Sequence, residues 1–163
     1  MSISPERNLK SFAPISLAEM DGIKLMNRID KKYLTDGKTL IEILNDAAAQ
    51  GYRVFENYGE RLHGYDSVYF DTPELRMFTE HRRGKTVRQK VRTRVYRESG
   101  LCFLEVKRKN NHGRTKKKRT EAPSDCFEDF RSNEKLGLWL KDHSDYRVEG
   151  IEPSLETSFN RIT

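Results

Sequence analysis

Cysteine is scarce in this 163-residue chain: Cys102 and Cys126 are the two it has, and neither belongs to a Cys-x-x-Cys pair or a Cys/His cluster. That excludes a disulfide scaffold and a thiolate metal site, and leaves reduced, structural thiols. Long apolar runs are also missing. No stretch approaches the roughly 18 residues a membrane helix requires. The opening MSISPERNLK lacks the apolar segment of a signal peptide. A cytoplasmic protein with no membrane segment is the expectation. His63, His81, His112 and His143 have no metal-ligand spacing and read as surface or packing residues. There is no serine-nucleophile motif, internal repeat or low-complexity linker. Gly84-Lys85-Thr86 echoes the end of a P-loop, but Thr79 stands where a glycine is needed. The segment also precedes a strand, whereas a P-loop follows one and opens a helix.

What the chain has is charge. The formal net charge is +6, and charged residues (34%) nearly equal hydrophobic ones (35%). The apolar residues are patterned and aromatics are plentiful, so a fold is expected, as one domain over 1–163. A basic balance points to an anionic partner.

The pattern predicts an α+β fold. A capping box at Ser16-Leu17-Ala18-Glu19 starts a short helix. Met26 to Leu34 reads as a strand. Asp36 caps a second helix running to about Gln50, with Leu40, Ile41 and Leu44 on one face and Gly51 just past its end. Strands follow at Tyr52 to Phe55 and Tyr65 to Asp71. Thr72-Pro73 opens a helix through about Arg82. Thr86 to Glu98 and Leu101 to Asn110 read as a hairpin turning at Ser99-Gly100, with Arg114 to Ala122 pairing next. A helix from Asp125 to about Lys141 and a strand from Leu155 to Ile162 close the chain.

Side chains alternate faces along a strand. From Val87 to Tyr96, one face takes Arg88, Lys90, Arg92, Arg94 and Tyr96, and the other takes Val87, Gln89, Val91, Thr93 and Val95. In the next strand Phe103, Glu105, Lys107 and Lys109 oppose Cys102, Leu104 and Val106. Arg28, Asp30 and Lys32 share a face of the first strand, and Thr157, Phe159 and Arg161 share one of the last. A sheet with helices on its apolar side and charge on the other is part of a polar-lined barrel, or else a solvated basic face. Guanidinium forks suit bidentate phosphate contacts. Asp30 and Glu105 each lie two residues from a lysine on the same face. That spacing suits metal ligation, and equally a cross-strand salt bridge.

Four segments in order, Arg28-Ile-Asp-Lys-Lys32-Tyr33-Leu, Ser67-Val-Tyr-Phe-Asp71-Thr72-Pro, Lys90-Val-Arg92-Thr-Arg94-Val-Tyr96 and Phe103-Leu-Glu105-Val-Lys107, resemble the strand motifs of the VTC domain. That domain is a branch of the triphosphate tunnel metalloenzyme (CYTH-like) superfamily. Phe159-Asn160-Arg161 looks like its later Tyr-x-Arg strand, with Phe for Tyr. The resemblance implies an antiparallel triphosphate-tunnel barrel with helices outside, binding ATP, triphosphate or polyphosphate with Mn²⁺ or Mg²⁺. The family activity it implies is transfer of the γ-phosphoryl group of ATP onto polyphosphate. By motif, Lys32, Arg92, Arg94, Lys107 and Arg161 match the phosphate ligands, with Lys90, Arg28, Lys117 and Arg119 as further basic positions. Asp30 and Glu105 are the metal candidates, and no catalytic residue is assigned.

The wider superfamily reads Glu-x-Glu-x-Lys where this chain has Arg28-x-Asp30-x-Lys32. The family also continues past the Tyr-x-Arg strand into an arginine and a Glu-x-Lys strand that are not in this sequence. The expectation is therefore a phosphate-binding chain that does not polymerise alone, with open sheet edges through which it could self-associate. The alternatives are a non-catalytic polyanion-binding module, or a nucleic-acid binder using the basic run Lys107 to Arg119. No helix-turn-helix, zinc finger or aromatic RNA motif accompanies that run, so nucleic acid is not the expected partner.

Overall fold

The computed structural model describes residues 5–21 and 31–163. The chain divides into two compact units, Met1–His63 with Arg161–Thr163, and Gly64–Asn160. No described helix is long and apolar enough to cross a membrane.

In the first unit, α1 (Glu6–Leu9), β1 (Ala13–Ile15), α2 (Leu17–Asp21), α3 (Gly37–Ala49) and β2 (Arg53–Phe55) follow in order. The capping box at α2 forms as expected: the Ser16 backbone N–H donates to Glu19 Oε2 at 2.9 Å, and the Glu19 N–H donates to Ser16 Oγ at 3.3 Å. Asp36 caps α3 by accepting from the Thr39 N–H at 2.8 Å, and Gly51 follows the helix at φ +78°. Leu9, Phe12, Leu44 and Val54 form the core, with Leu40 and Ile41 packed against it. β1 pairs parallel with β2. The sequence reading missed β1 because proline at its centre argues against a strand. The expected strand Met26 to Leu34 falls partly outside the described residues. Its described part, residues 31–34, has no regular structure, and Tyr33 and Leu34 are exposed.

The second unit is built on β3 (His63–Asp71), α4 (Arg76–Arg82), β4 (Arg88–Tyr96), β5 (Leu101–Lys109), β6 (Thr115–Ala122), α5 (Glu134–His143) and β7 (Glu152–Arg161). The five strands form one sheet in the order β6-β5-β4-β3-β7. The β3–β4, β4–β5 and β5–β6 pairs are antiparallel. Among the described residues no pairing closes this sheet into a barrel, and β6 and β7 are its edges. Lys116, Lys117, Lys118 and Arg119 line the β6 edge, a composition that discourages edge-to-edge association.

The apolar sheet face carries Val68, Phe70, Val91, Cys102, Leu104, Val106 and Ala122. Leu136 and Leu140 of α5, with Phe130 and Ile151, cover it. Phe70 meets Phe130 edge-on, with ring centroids 4.7 Å apart. The register predicted for β4 therefore holds: Val91 is in the core, and its neighbours Lys90 and Arg92 face the other way.

Two helices start later than the pattern suggested. α4 opens at Arg76 rather than Pro73, because the buried Asp71 carboxylate accepts from the Thr72, Met77 and Phe78 N–H groups, each at 2.8 Å. The chain reaches that geometry through Leu75 at φ +54°. The expected helix from Asp125 breaks into a 3-10 turn, Ser124–Cys126, and α5. Asn133 caps α5 by accepting from the Leu136 N–H at 3.1 Å.

Candidate functional site

The antiparallel register stacks charged positions of neighbouring strands into rows across one sheet face. Lys90, Lys107 and Lys117 stand in one row, from β4, β5 and β6. Tyr69, Arg92, Glu105 and Arg119 form the next, and Ser67, Arg94, Phe103 and Glu121 the one beyond. Like charges directly opposite one another are unfavourable. Water and salt screen that repulsion where the face is open, and an anion offsets it where the face is enclosed.

Glu105 supplies part of that offset. It is 2% exposed and lies between cations from both neighbouring strands. Arg92 donates to its Oε2 from Nε at 2.8 Å and from Nη2 at 2.6 Å. The Lys117 ammonium contacts Oε1 as an ion pair rather than as a directed hydrogen bond. Burial alone would raise the Glu105 pKa, but Lys117 and Arg92 more than offset that and hold the carboxyl below its ordinary value. Arg92 also donates from Nη1 to the Tyr69 hydroxyl at 2.9 Å.

Arg94 is placed differently. Its Nε donates to Ser67 Oγ at 2.9 Å, and its guanidinium carbon lies 5.2 Å from the Tyr65 ring centroid and 5.4 Å from that of Phe159. Burial and the neighbouring Arg92 charge lower its pKa, although Glu105 acts in the opposite sense. Arg119 packs over Phe103 at 4.6 Å. The rings form a continuous row across four strands. Phe159 stacks on Tyr65 at 5.4 Å, Tyr65 meets Tyr96 edge-on at 5.1 Å, and Tyr96 meets Phe103 edge-on at 5.7 Å.

Of the basic positions singled out by sequence, the fold gathers Lys90, Arg92, Arg94, Lys107, Lys117 and Arg119 on this face. Arg28 and Asp30 lie outside the described residues. Lys32 is exposed in the stretch without regular structure, and Arg161 is the exposed last residue of β7. Both belong to the first unit.

Of the two readings left open for Glu105, the cross-strand salt bridge is the one observed. Both carboxylate oxygens face cations, so as arranged Glu105 acts as a counter-ion to Arg92 and Lys117. A divalent ion such as Mg²⁺ or Mn²⁺ takes oxygen donors. No group of three His, Cys, Asp or Glu that could hold a metal occurs among the described residues, so these residues alone do not fit such an ion.

The sequence reading overlooked Tyr65, Ser67, Tyr69 and Phe103 as partners of the cations. The signal was there: Tyr65, Ser67 and Tyr69 alternate in β3 on the face opposite Val68 and Phe70.

The sequence profile of the VTC domain matches residues 27–162. No curated protein is significantly similar in sequence. Among solved structures, this chain is similar to a proposed adenylate cyclase from Vibrio parahaemolyticus, with 13% identity and a TM-score of 0.38. The match covers 63% of this chain and 45% of that one, so the chain spans less than half the length of that structure.

Proposed function

The chain belongs to the VTC domain family, and on that premise we propose that its charged sheet face binds the phosphate chain of a triphosphate, ATP or polyphosphate, as one wall of a triphosphate-type tunnel. The observation that carries this reading is the imbalance of charge. Six basic side chains, Lys90, Arg92, Arg94, Lys107, Lys117 and Arg119, share a face on which, among the described residues, Glu105 is the carboxylate buried between cations of neighbouring strands. Such a face is stabilised by a polyanion, and its arginines match phosphate geometry.

Phosphoryl transfer draws on positioned cations and on a metal ion that neutralises charge on the phosphate oxygens. The described residues offer the cations and not the metal donors, so the proposal for this chain is binding. Synthesis of polyphosphate is proposed only for an assembly that adds those donors.

Calorimetric titration of the chain with tripolyphosphate tests this. Saturable binding that weakens at least tenfold in Arg94→Ala, with the fold unchanged, supports the reading. Binding that is absent, or equal in the variant, removes it.

A second reading has an observation of its own. Lys116 and Lys118 alternate with Lys117 and Arg119 and are exposed, so the β5–β6 hairpin carries cations on both faces. That would suit non-specific nucleic-acid phosphates. Competition separates the two: tripolyphosphate displaces a bound oligonucleotide if the phosphate-chain site is primary.

A further inference from the structure

β7 runs along one edge of the sheet, and every residue of it but Thr157 is exposed. Little apolar burial therefore holds the strand in place. Yet it supplies Phe159, which lies on the charged face, stacked on Tyr65 and under the Arg94 guanidinium.

A clamp for this strand lies on the opposite face. Side chains alternate along β7, so Ser158 and Asn160, which flank Phe159, point the other way. Both meet Arg97, the residue just past β4. Its Nη2 donates to Ser158 Oγ, and its Nη1 reaches Asn160 Oδ1 at 3.5 Å. The same guanidinium is anchored on β3, where Nε donates to Asp66 Oδ2 at 2.8 Å and Nη2 to Oδ1 at 2.6 Å. One side chain thus ties three neighbouring strands together. A bidentate pair of this kind fixes the direction of the fork as well as its charge. The Arg97 hydrogen bonds hold the Asp66 pKa down at about 2, so the fork keeps its anchor across the ordinary pH range.

Gly64 opens the path that Arg97 takes. A Cβ at Gly64 would lie 2.6 Å from Arg97 Cδ and 3.1 Å from Cγ and Nη1, so any larger residue displaces the arginine. Gly64 has no positive φ, so it is the close approach of Arg97, and not the backbone, that requires glycine here.

We propose that Arg97 is a positioning residue for the charged face although it lies on the other one. With Asp66 and Gly64 it pins β7, and so keeps Phe159 seated against Tyr65 and Arg94. The consequence for binding rests on the phosphate-chain reading above. The pinning of β7 does not.

The test uses the full 163-residue chain, with amide hydrogen exchange followed by NMR and tripolyphosphate affinity measured by calorimetry. In Arg97→Met and in Gly64→Ala, the β7 amides should exchange roughly tenfold faster while those of Val91 and Leu104 keep their wild-type rates. Tripolyphosphate should bind about fivefold more weakly in both variants. One variant removes the fork and the other displaces it, so if one misfolds the other still decides. Arg97→Lys, whose single ammonium does not span Asp66 and Ser158, should restore affinity only in part. A double-mutant cycle tests the route through Phe159: in a Phe159→Leu background, Arg97→Met should change affinity by less than about twofold. Faster exchange at every amide alike, wild-type affinity in both single variants, or an undiminished loss in the Phe159→Leu background overturns the inference alone. A wild-type chain that takes up no tripolyphosphate overturns the phosphate-chain reading and the positioning role with it.

Discussion

Glu105 faces two cations, Arg92 and Lys117, from the strands on either side. Replacing it with glutamine keeps the shape and removes the charge that answers Arg92 and Lys117. Breaking a buried ion pair by removing one partner costs about 3 kcal/mol or more. Lys117 is 41% exposed here and Arg92 20%, so about 2 kcal/mol is the better expectation for Glu105→Gln. Urea unfolding would read this directly, and tripolyphosphate should raise the melting temperature of the variant more than that of the wild type. If Glu105 were a metal ligand, the variant would instead lose Mn²⁺ binding with little change in stability. The pH dependence has a definite sign. The folded carboxyl titrates below its ordinary value of 4.5, so its stabilisation is fully present above that value. It disappears as pH falls through the lowered folded pKa. Melting curves of wild type and Glu105→Gln should therefore differ at neutral pH and converge in acid.

At the scale of elements, Asp71 and Asn133 decide where helices begin. Asp71 is buried and satisfies three backbone N–H groups around the start of α4. Asp71→Ala should cost about 2–3 kcal/mol, because buried donors lose a charged acceptor. Asn133→Ala removes the cap of α5 and should cost about 1 kcal/mol. Equal unfolding midpoints for wild type and either variant would contradict the capping account. These starts also mark the limit of what sequence pattern reveals. β4 and β5 were legible because the cations of β4 and the apolar Cys102, Leu104 and Val106 of β5 recur at every second position, which leaves one register in which Val91, Leu104 and Val106 are buried. The start of α4 was not legible, because Asp71 acts on N–H groups six and seven residues ahead through a left-handed Leu75. The split of the Asp125 helix was missed because Phe127, Phe130, Leu136 and Trp139 keep an apolar pattern across the break. In the site the shared face of Lys90, Arg92, Arg94 and Lys107 was legible from their spacing, whereas Lys117 and Arg119 entered through the family resemblance. The unequal partners of these cations were not legible, because whether an arginine meets a carboxylate or a ring depends on cross-strand neighbours that only the register defines.

On the scale of the whole molecule, the net charge of +6 is distributed with a purpose that composition alone does not reveal. The sheet buries its apolar face under α5 and presents cations from three adjacent strands on the other. Several phosphate contacts made together imply binding that weakens steeply with ionic strength, since charge attraction at an exposed face is screened within about 8–10 Å at 0.1–0.15 M salt. A phosphate-chain site differs from a generally basic surface in that its cations are not interchangeable. The most direct measurement is calorimetric titration of the full chain with tripolyphosphate, for wild type, Arg94→Ala and Lys116→Ala, at fixed salt. Binding should be saturable, fall at least tenfold in Arg94→Ala and stay near wild type in Lys116→Ala, whose side chain alternates away from the site. Equal loss in the two variants, or no saturable binding in the wild type, would contradict the phosphate-chain reading.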